Sequence, residues 1–187
     1  KEIYEIVFKA KQEATRAIKP GVPFREIHFL AAGVIAEGLK SLGIMKGDTQ
    51  EAVRQGAHAL FMPHGLGHMM GLDVHDMEDL GEDYVGYDEK IKRSGIFGTK
   101  SLRLGRKLEA GFVLTVEPGI YFIPELTERW QQDKKFTDFI NYDKVRSYLD
   151  FGGARLEDDI LVTGDAYRVL GRPIPDTPED VEKMMNV

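Results

Sequence analysis

Two runs of apolar residues at helical spacing open this chain, and each carries a stripe that must be buried against something. Ile3, Ile6, Val7, Ala10, Ala14 and Ile18 form the first stripe, which ends where proline and glycine follow in KPG, residues 19–21. Pro23, a favoured first-turn residue, starts the second, with Ile27, Leu30, Ala31, Val34, Ile35 and Leu39 on one face. Near the other end Thr177, Pro178 and Asp180 stand where an N-cap, a first-turn proline and an N3 acid belong, so a third helix is expected there. Between these ends LTVE (114–117) and ARLEDDILVT (154–163) are short, rich in β-branched residues and bounded by Pro-Gly or Gly-Gly, which is the pattern of strands. The expectation is an α+β fold, an antiparallel sheet with helices on one face, in a single domain. Residues 124–150, charged and aromatic, form a long excursion between two strands, a feature often tied to function.

Several function classes fall away on composition. A net charge of −6 argues against nucleic acid as a main partner, because phosphate binding needs a concentrated basic surface. The longest apolar run, FLAAGVIA at 29–36, is far shorter than the roughly 20 residues of a membrane helix. The opening KEIYEIVFKAKQE is interrupted by charges and is not a secretory signal. No cysteine is present, so any metal must be held by nitrogen or oxygen. A cytoplasmic protein with neither a membrane nor a nucleic-acid partner is expected.

The chemistry is concentrated in FMPHGLGHMMGLDVHD, residues 61–76, which holds three of the five histidines, two aspartates and three glycines. His64 and His68 are four apart, a helical spacing, but Gly65 and Gly67 would each cost about 1 kcal/mol in a helix. In an extended segment residues 64, 66 and 68 share a face, so both imidazoles could still enter one cleft. A bend at Gly71 could return His75 to it. A hydrogen-bonded structural cluster is the plainer reading for any one histidine; three in twelve residues weaken it. In LTVEPGIYF, alternation sets Thr115 and Glu117 on one face just before a Pro-Gly turn, and in GGARLEDDILVT, Arg155 and Glu157 share a face. Taken alone, the first is as well explained by a solvated glutamate and the second by a surface salt bridge. Together, a histidine and two strand-borne glutamates form a set suited to manganese, zinc, cobalt or iron.

HGLGHMMGLDVHD, then VEPGIYF, then GGARLEDDILVT, in that order, resemble the metallopeptidase family of aminopeptidase P and prolidase, the pita-bread enzymes, and IKPGVPF extends the likeness towards the start of the chain. FMPHGLGH and the excursion look most like the prolidase branch. The resemblance implies a curved antiparallel sheet with helices on its outer face. It also implies two divalent ions, most often Mn2+, held by two aspartates, one histidine and two glutamates. His68, Glu117 and Glu157 match ligands, His64 and His75 match histidines of the substrate pocket, and Arg155 matches an arginine that supports the site. Arg103, in KSLRLGRKLEAG, matches the residue that meets a substrate's terminal carboxylate; without the resemblance it would read as one charge of a solvated basic stretch. The family's reaction, hydrolysis of the Xaa-Pro bond by a metal-bridged hydroxide, gives Glu117 a second possible role in passing a proton to the leaving nitrogen.

One departure is serious. The two aspartate ligands lie, in the family, on a hairpin before the first helix of this region, and no residue here matches them. Residues 1–187 are therefore expected to be the C-terminal part of a pita-bread catalytic domain, with the N-terminal domain and ligand hairpin absent. Alone, the chain is expected to be inactive and to hold no metal stably. Hydrolysis of Xaa-Pro dipeptides by a full-length homodimer is the leading functional expectation. The alternatives are an aminopeptidase P acting on longer proline-containing peptides and a non-catalytic pita-bread module that binds peptides or proteins; a methionine aminopeptidase is disfavoured by the excursion and by LDVHD.

Overall fold

The computed structural model describes residues 1–185. Helix α1 (Glu2–Arg16) buries Ile3, Val7, Ala10 and Ala14, and packs on α2 (Phe24–Ser41), whose buried face carries Ile27, Ala31, Ile35 and Leu39. Both expected helices are present, although Pro23 is the N-cap of α2 rather than its first residue, and Leu30 is 41% exposed instead of joining the stripe. Asp48 caps α3 (Thr49–Gln55) by accepting from the Glu51 amide at 2.8 Å. A 3-10 turn (Ala57–Leu60) then carries the chain into the histidine segment. After the short α4 (Glu82–Val85) come β1 (Val113–Val116), β2 (Gly119–Tyr121), α5 (Pro124–Gln132), α6 (Tyr142–Arg146), β3 (Gly153–Arg155), β4 (Asp158–Val162), β5 (Tyr167–Val169) and α7 (Pro178–Met185). The α7 cap is as expected: the Asp180 amide donates to Thr177 Oγ1 at 3.1 Å. No helix among the described residues is long and apolar enough to cross a membrane.

All the strand pairs are antiparallel, in a three-stranded sheet ordered β1-β4-β5 and a two-stranded sheet β2-β3. The stretch expected as one strand from 154 to 163 is thus two strands in different sheets, parted at Leu156 and Glu157. The cause lies across the ladder, where Pro118 has no N–H to donate; only the Leu156 amide still reaches the Pro118 carbonyl, at 3.3 Å. The register survives the break, since Val116 faces Asp158 before it and Gly119 faces Arg155 after it. Glu117 therefore stands directly opposite Glu157. On one face of this ladder Leu114, Val116, Ile160 and Val162 join a core with Ala14, Ile18, Ile27 and Ala31. Asp158, also on that face, is neutralised by the buried Lys11 of α1, whose Nζ is 2.7 Å away and also binds Asp176 at 2.5 Å. The other face carries Thr115, Glu117, Glu157 and Asp159.

The excursion is structural. Trp130, Ile140, Tyr142 and Val145 fill a second core with Ile35, Leu39, Ile44 and Phe61, and residues 124–150 contribute nothing to the histidine cleft described next.

Candidate active site

Residues 64–70 run alongside β1 without forming a regular strand. The Thr115 amide donates to the His68 carbonyl at 3.0 Å, the Glu117 amide to the Leu66 carbonyl at 2.7 Å, and Met69 bridges Leu114. Glycine makes this approach possible: a Cβ on Gly67 would lie 1.9 Å from the Thr115 carbonyl oxygen, and one on Gly65 would lie 2.6 Å from Leu102 Cα. The segment is not helical, bends at His64 and Leu66, and delivers His64 and His68 to one cleft, but Leu66 turns into the core instead of sharing their face. The bend after Gly71 brings His75 back, so that its ring meets the His68 ring edge-on with centroids 4.4 Å apart. A cleft of about 290 Å3 is lined by His64, Gly65, Gly67, His68, His75, Ser101, Arg103, Glu117 and Arg155. Six of the seven residues expected at the site share it, and Glu157 adjoins it through Arg155.

The electrostatics centre on two carboxylates that face each other. Like charges opposite one another weaken a ladder, and here Arg155 sits between them, with Nη1 at 3.4 Å from Glu117 Oε2 and Nη2 at 3.4 Å from Glu157 Oε2. Partial burial and the neighbouring Glu117 charge push the Glu157 carboxyl above the usual carboxylate range. His68 approaches from the other side. Its Nδ1 donates to the Met69 carbonyl at 2.9 Å, so in the neutral ring Nε2 presents a lone pair, 3.4 Å from Glu117 Oε1. Two acceptors facing each other at this range form a place for a cation. Thr115, buried between them, accepts from the His68 amide at 3.1 Å and donates to Glu117 Oε1 at 3.3 Å. The sequence reading gave it no role, although alternation had already put it on the face of Glu117. Among the described residues no three histidine, aspartate or glutamate side chains form a ready metal cage.

The remaining residues have distinct partners. His64 Nδ1 donates to the Gly65 carbonyl at 2.7 Å, while Nε2 is buried with no hydrogen-bond partner. Burial holds the His64 pKa below its ordinary value. With Nδ1 donating, the neutral ring presents Nε2 as an acceptor. The His64 ring also packs edge-on to Tyr121 at 5.4 Å. His75 Nδ1 donates to Glu78 Oε2 at 3.1 Å. Arg103 is not part of a solvated basic run: Nη2 lies 3.0 Å from Glu78 Oε1 and Nε 3.5 Å from Glu82 Oε1, while Nη1 is buried and unpartnered. Glu78 and Glu82 escaped the sequence reading, because acids in a turn look solvated until the fold brings Arg103 to them.

The sequence pattern of metallopeptidase family M24 matches residues 1–164. Human Xaa-Pro dipeptidase is 39% identical over 185 residues, covering 99% of this chain and 36% of its own length. A probable Xaa-Pro aminopeptidase of Botryotinia fuckeliana is 38% identical over 186 residues, or 100% of this chain and 38% of its own. Among solved structures, Pseudomonas aeruginosa aminopeptidase PepP superposes with a TM-score of 0.70 at 33% identity, covering 100% of this chain and 34% of that one. The chain thus spans little more than a third of the length of the relatives it matches.

Proposed function

Because this chain belongs to metallopeptidase family M24, and so to a family of peptidases that use divalent metal ions, we propose that it contributes the histidine and the two glutamates of a site that hydrolyses the Xaa-Pro bond. The observation that carries the reading is Glu117 in register with Glu157, with the lone pair of His68 turned towards Glu117. Two opposed carboxylates beside an imidazole acceptor are unfavourable without positive charge and favourable around it, which is the donor chemistry a divalent cation needs. His68, Glu117 and Glu157 would hold the metal, together with the two aspartates that the family resemblance implies and that no residue here matches. When bound, the metal supplies Lewis acidity and a nucleophile at neutral pH.

The rest of the work falls to residues of this chain. Thr115 and Arg155 orient the two glutamates. His75, with Nδ1 committed to Glu78, has Nε2 available to donate to the carbonyl oxygen as charge develops there. His64 Nε2 accepts from a substrate N–H. Arg103 offers Nη1 and the adjacent Nη2 hydrogen to a free carboxylate, an end-on fork that favours a dipeptide. Glu117, the more buried of the paired carboxylates, is placed to pass a proton to the departing proline nitrogen.

The test is made in the full-length protein. His68→Ala and Glu157→Ala should abolish turnover. Arg103→Ala should raise KM for an Xaa-Pro dipeptide by roughly 10-fold or more and barely alter hydrolysis of the dipeptide amide, which lacks the carboxylate. Equal losses on both substrates would favour the second reading, an aminopeptidase P, which the solved structures of that activity support. Manganese as the ion, a homodimer and the assignment of residues 1–187 to the C-terminal part of the catalytic domain rest on the family resemblance, and a cytoplasmic location rests on composition.

A further inference from the structure

Glu78 binds two cleft residues at once. Its Oε2 accepts from His75 Nδ1 at 3.1 Å and its Oε1 is 3.0 Å from Arg103 Nη2. These are the two groups assigned above to opposite ends of a dipeptide, the scissile carbonyl and the terminal carboxylate. We propose that Glu78 is a positioning residue that sets the separation between His75 and Arg103, and through it the preference for a substrate whose carboxylate lies one residue beyond the cleaved bond. The inference rests on the peptidase reading of the site.

Three features of the geometry support it. Glu78 lines a smaller hollow behind the two residues, with His75, Glu82 and Arg103, and does not line the main cleft, so it acts through its partners. The backbone just before it is in an uncommon state: Met77 has φ 55°, which a long side chain adopts at a cost of order 1–3 kcal/mol. Finally, the two acids divide the guanidinium. Glu82 takes Nε at 3.5 Å and Glu78 takes Nη2, which together form one edge of the fork. The other edge, with Nη1 buried and unpartnered, is the one that the two acids leave unpaired. Glu82 touches Arg103 and Arg93 and makes no hydrogen bond or salt bridge to His75, so it serves as an internal control.

The experiment compares Glu78→Gln and Glu82→Gln in the full-length, metal-loaded protein, on an Xaa-Pro dipeptide and its amide. A glutamine keeps the size of the side chain but accepts from only one of the two donors. Glu78→Gln is expected to raise KM for the dipeptide about 10-fold and to lower kcat on both substrates by a similar factor. Glu82→Gln should raise KM for the dipeptide and leave kcat within about twofold. In an Arg103→Ala background Glu78→Gln should lose its effect on KM and keep its effect on kcat. Equal losses on both substrates from the two glutamine variants, in step with a lower Tm, would mean that the acids only hold the turn, and would overturn the proposal. So would unchanged kcat in Glu78→Gln. If Arg103→Ala itself fails to discriminate between dipeptide and amide, the reading of the site fails first and takes this inference with it; if it does discriminate and Glu78→Gln has no effect, only Glu78 is wrongly assigned.

Discussion

Lowering the pH from 7.5 to 5 should destabilise this protein through His28 and His58, which lie outside the cleft and are entirely buried. Their rings stand 6.0 Å apart, and none of their four ring nitrogens has a hydrogen-bond partner. Burial, aided by the neighbouring His58 and His64, lowers the His28 pKa to about 3, and burial lowers that of His58 to about 4. In the unfolded chain both titrate near 6.5. Because the folded values are depressed, the stability is fully present above 6.5 and is lost as pH falls from there towards 4 and 3. At pH 5 the unfolded state has taken up both protons and the folded state neither, which costs about 2 kcal/mol per histidine and about 4 together. A loss of that size should lower Tm by roughly 8–16 °C for a chain of this length. Urea and thermal unfolding at several pH values would measure it, with His28→Phe/His58→Leu as the reference. In that double variant the slope between pH 6.5 and 5 should fall sharply, to what remains from His64, which burial also holds below its ordinary pKa. An equal slope in both proteins would refute the reasoning.

Three further outcomes are expected. Gly67→Ala should destabilise the chain by about 1–3 kcal/mol or more, since its Cβ would meet the Thr115 carbonyl at 1.9 Å, and urea midpoints would show it. With chelator present, Glu157→Gln should leave the fold unchanged or stabilise it by a few tenths of a kcal/mol up to about 1, because it removes a charge facing Glu117, even though it should abolish turnover in the full-length protein. Metal analysis after dialysis of the 187-residue chain should find fewer than two tightly held equivalents, because two aspartates of the expected ligand set are not among its residues.

The parts of this fold visible in the sequence are those governed by local period. Helical spacing located α1 and α2, and the Thr177 cap located α7, because burial stripes and caps are properties of neighbouring residues. Leu30 shows the limit: a stripe gives the buried face of a helix, not its width. The break between β3 and β4 was hidden for a different reason. It is caused by Pro118, 38 residues before Leu156, and only strand pairing connects them. At the site, residue types and spacing grouped the three histidines with Glu117 and Glu157, and the family resemblance added Arg155 and Arg103; all but Glu157 line one cleft. Glu78 and Thr115 were not legible as partners, because each derives its role from side chains far along the chain: Thr115 from His68, and Glu78 from Arg103.

The uninterrupted register across the Pro118 break also determines where this protein can change length. Pairing on either side of the break measures the distance between the two glutamates, and the chain linking β2 to β3 takes no part in that measurement. The exposed positions of residues 124–150, away from Trp130, Ile140, Tyr142 and Val145, can therefore acquire new surface while the carboxylates stay face to face. Deleting one residue from 113–121 or 153–162 would instead turn one carboxylate towards Leu114 and Ile160. A related protein with a different insertion between these strands should keep this half of the site, and one with a strand altered by a single residue should lose it.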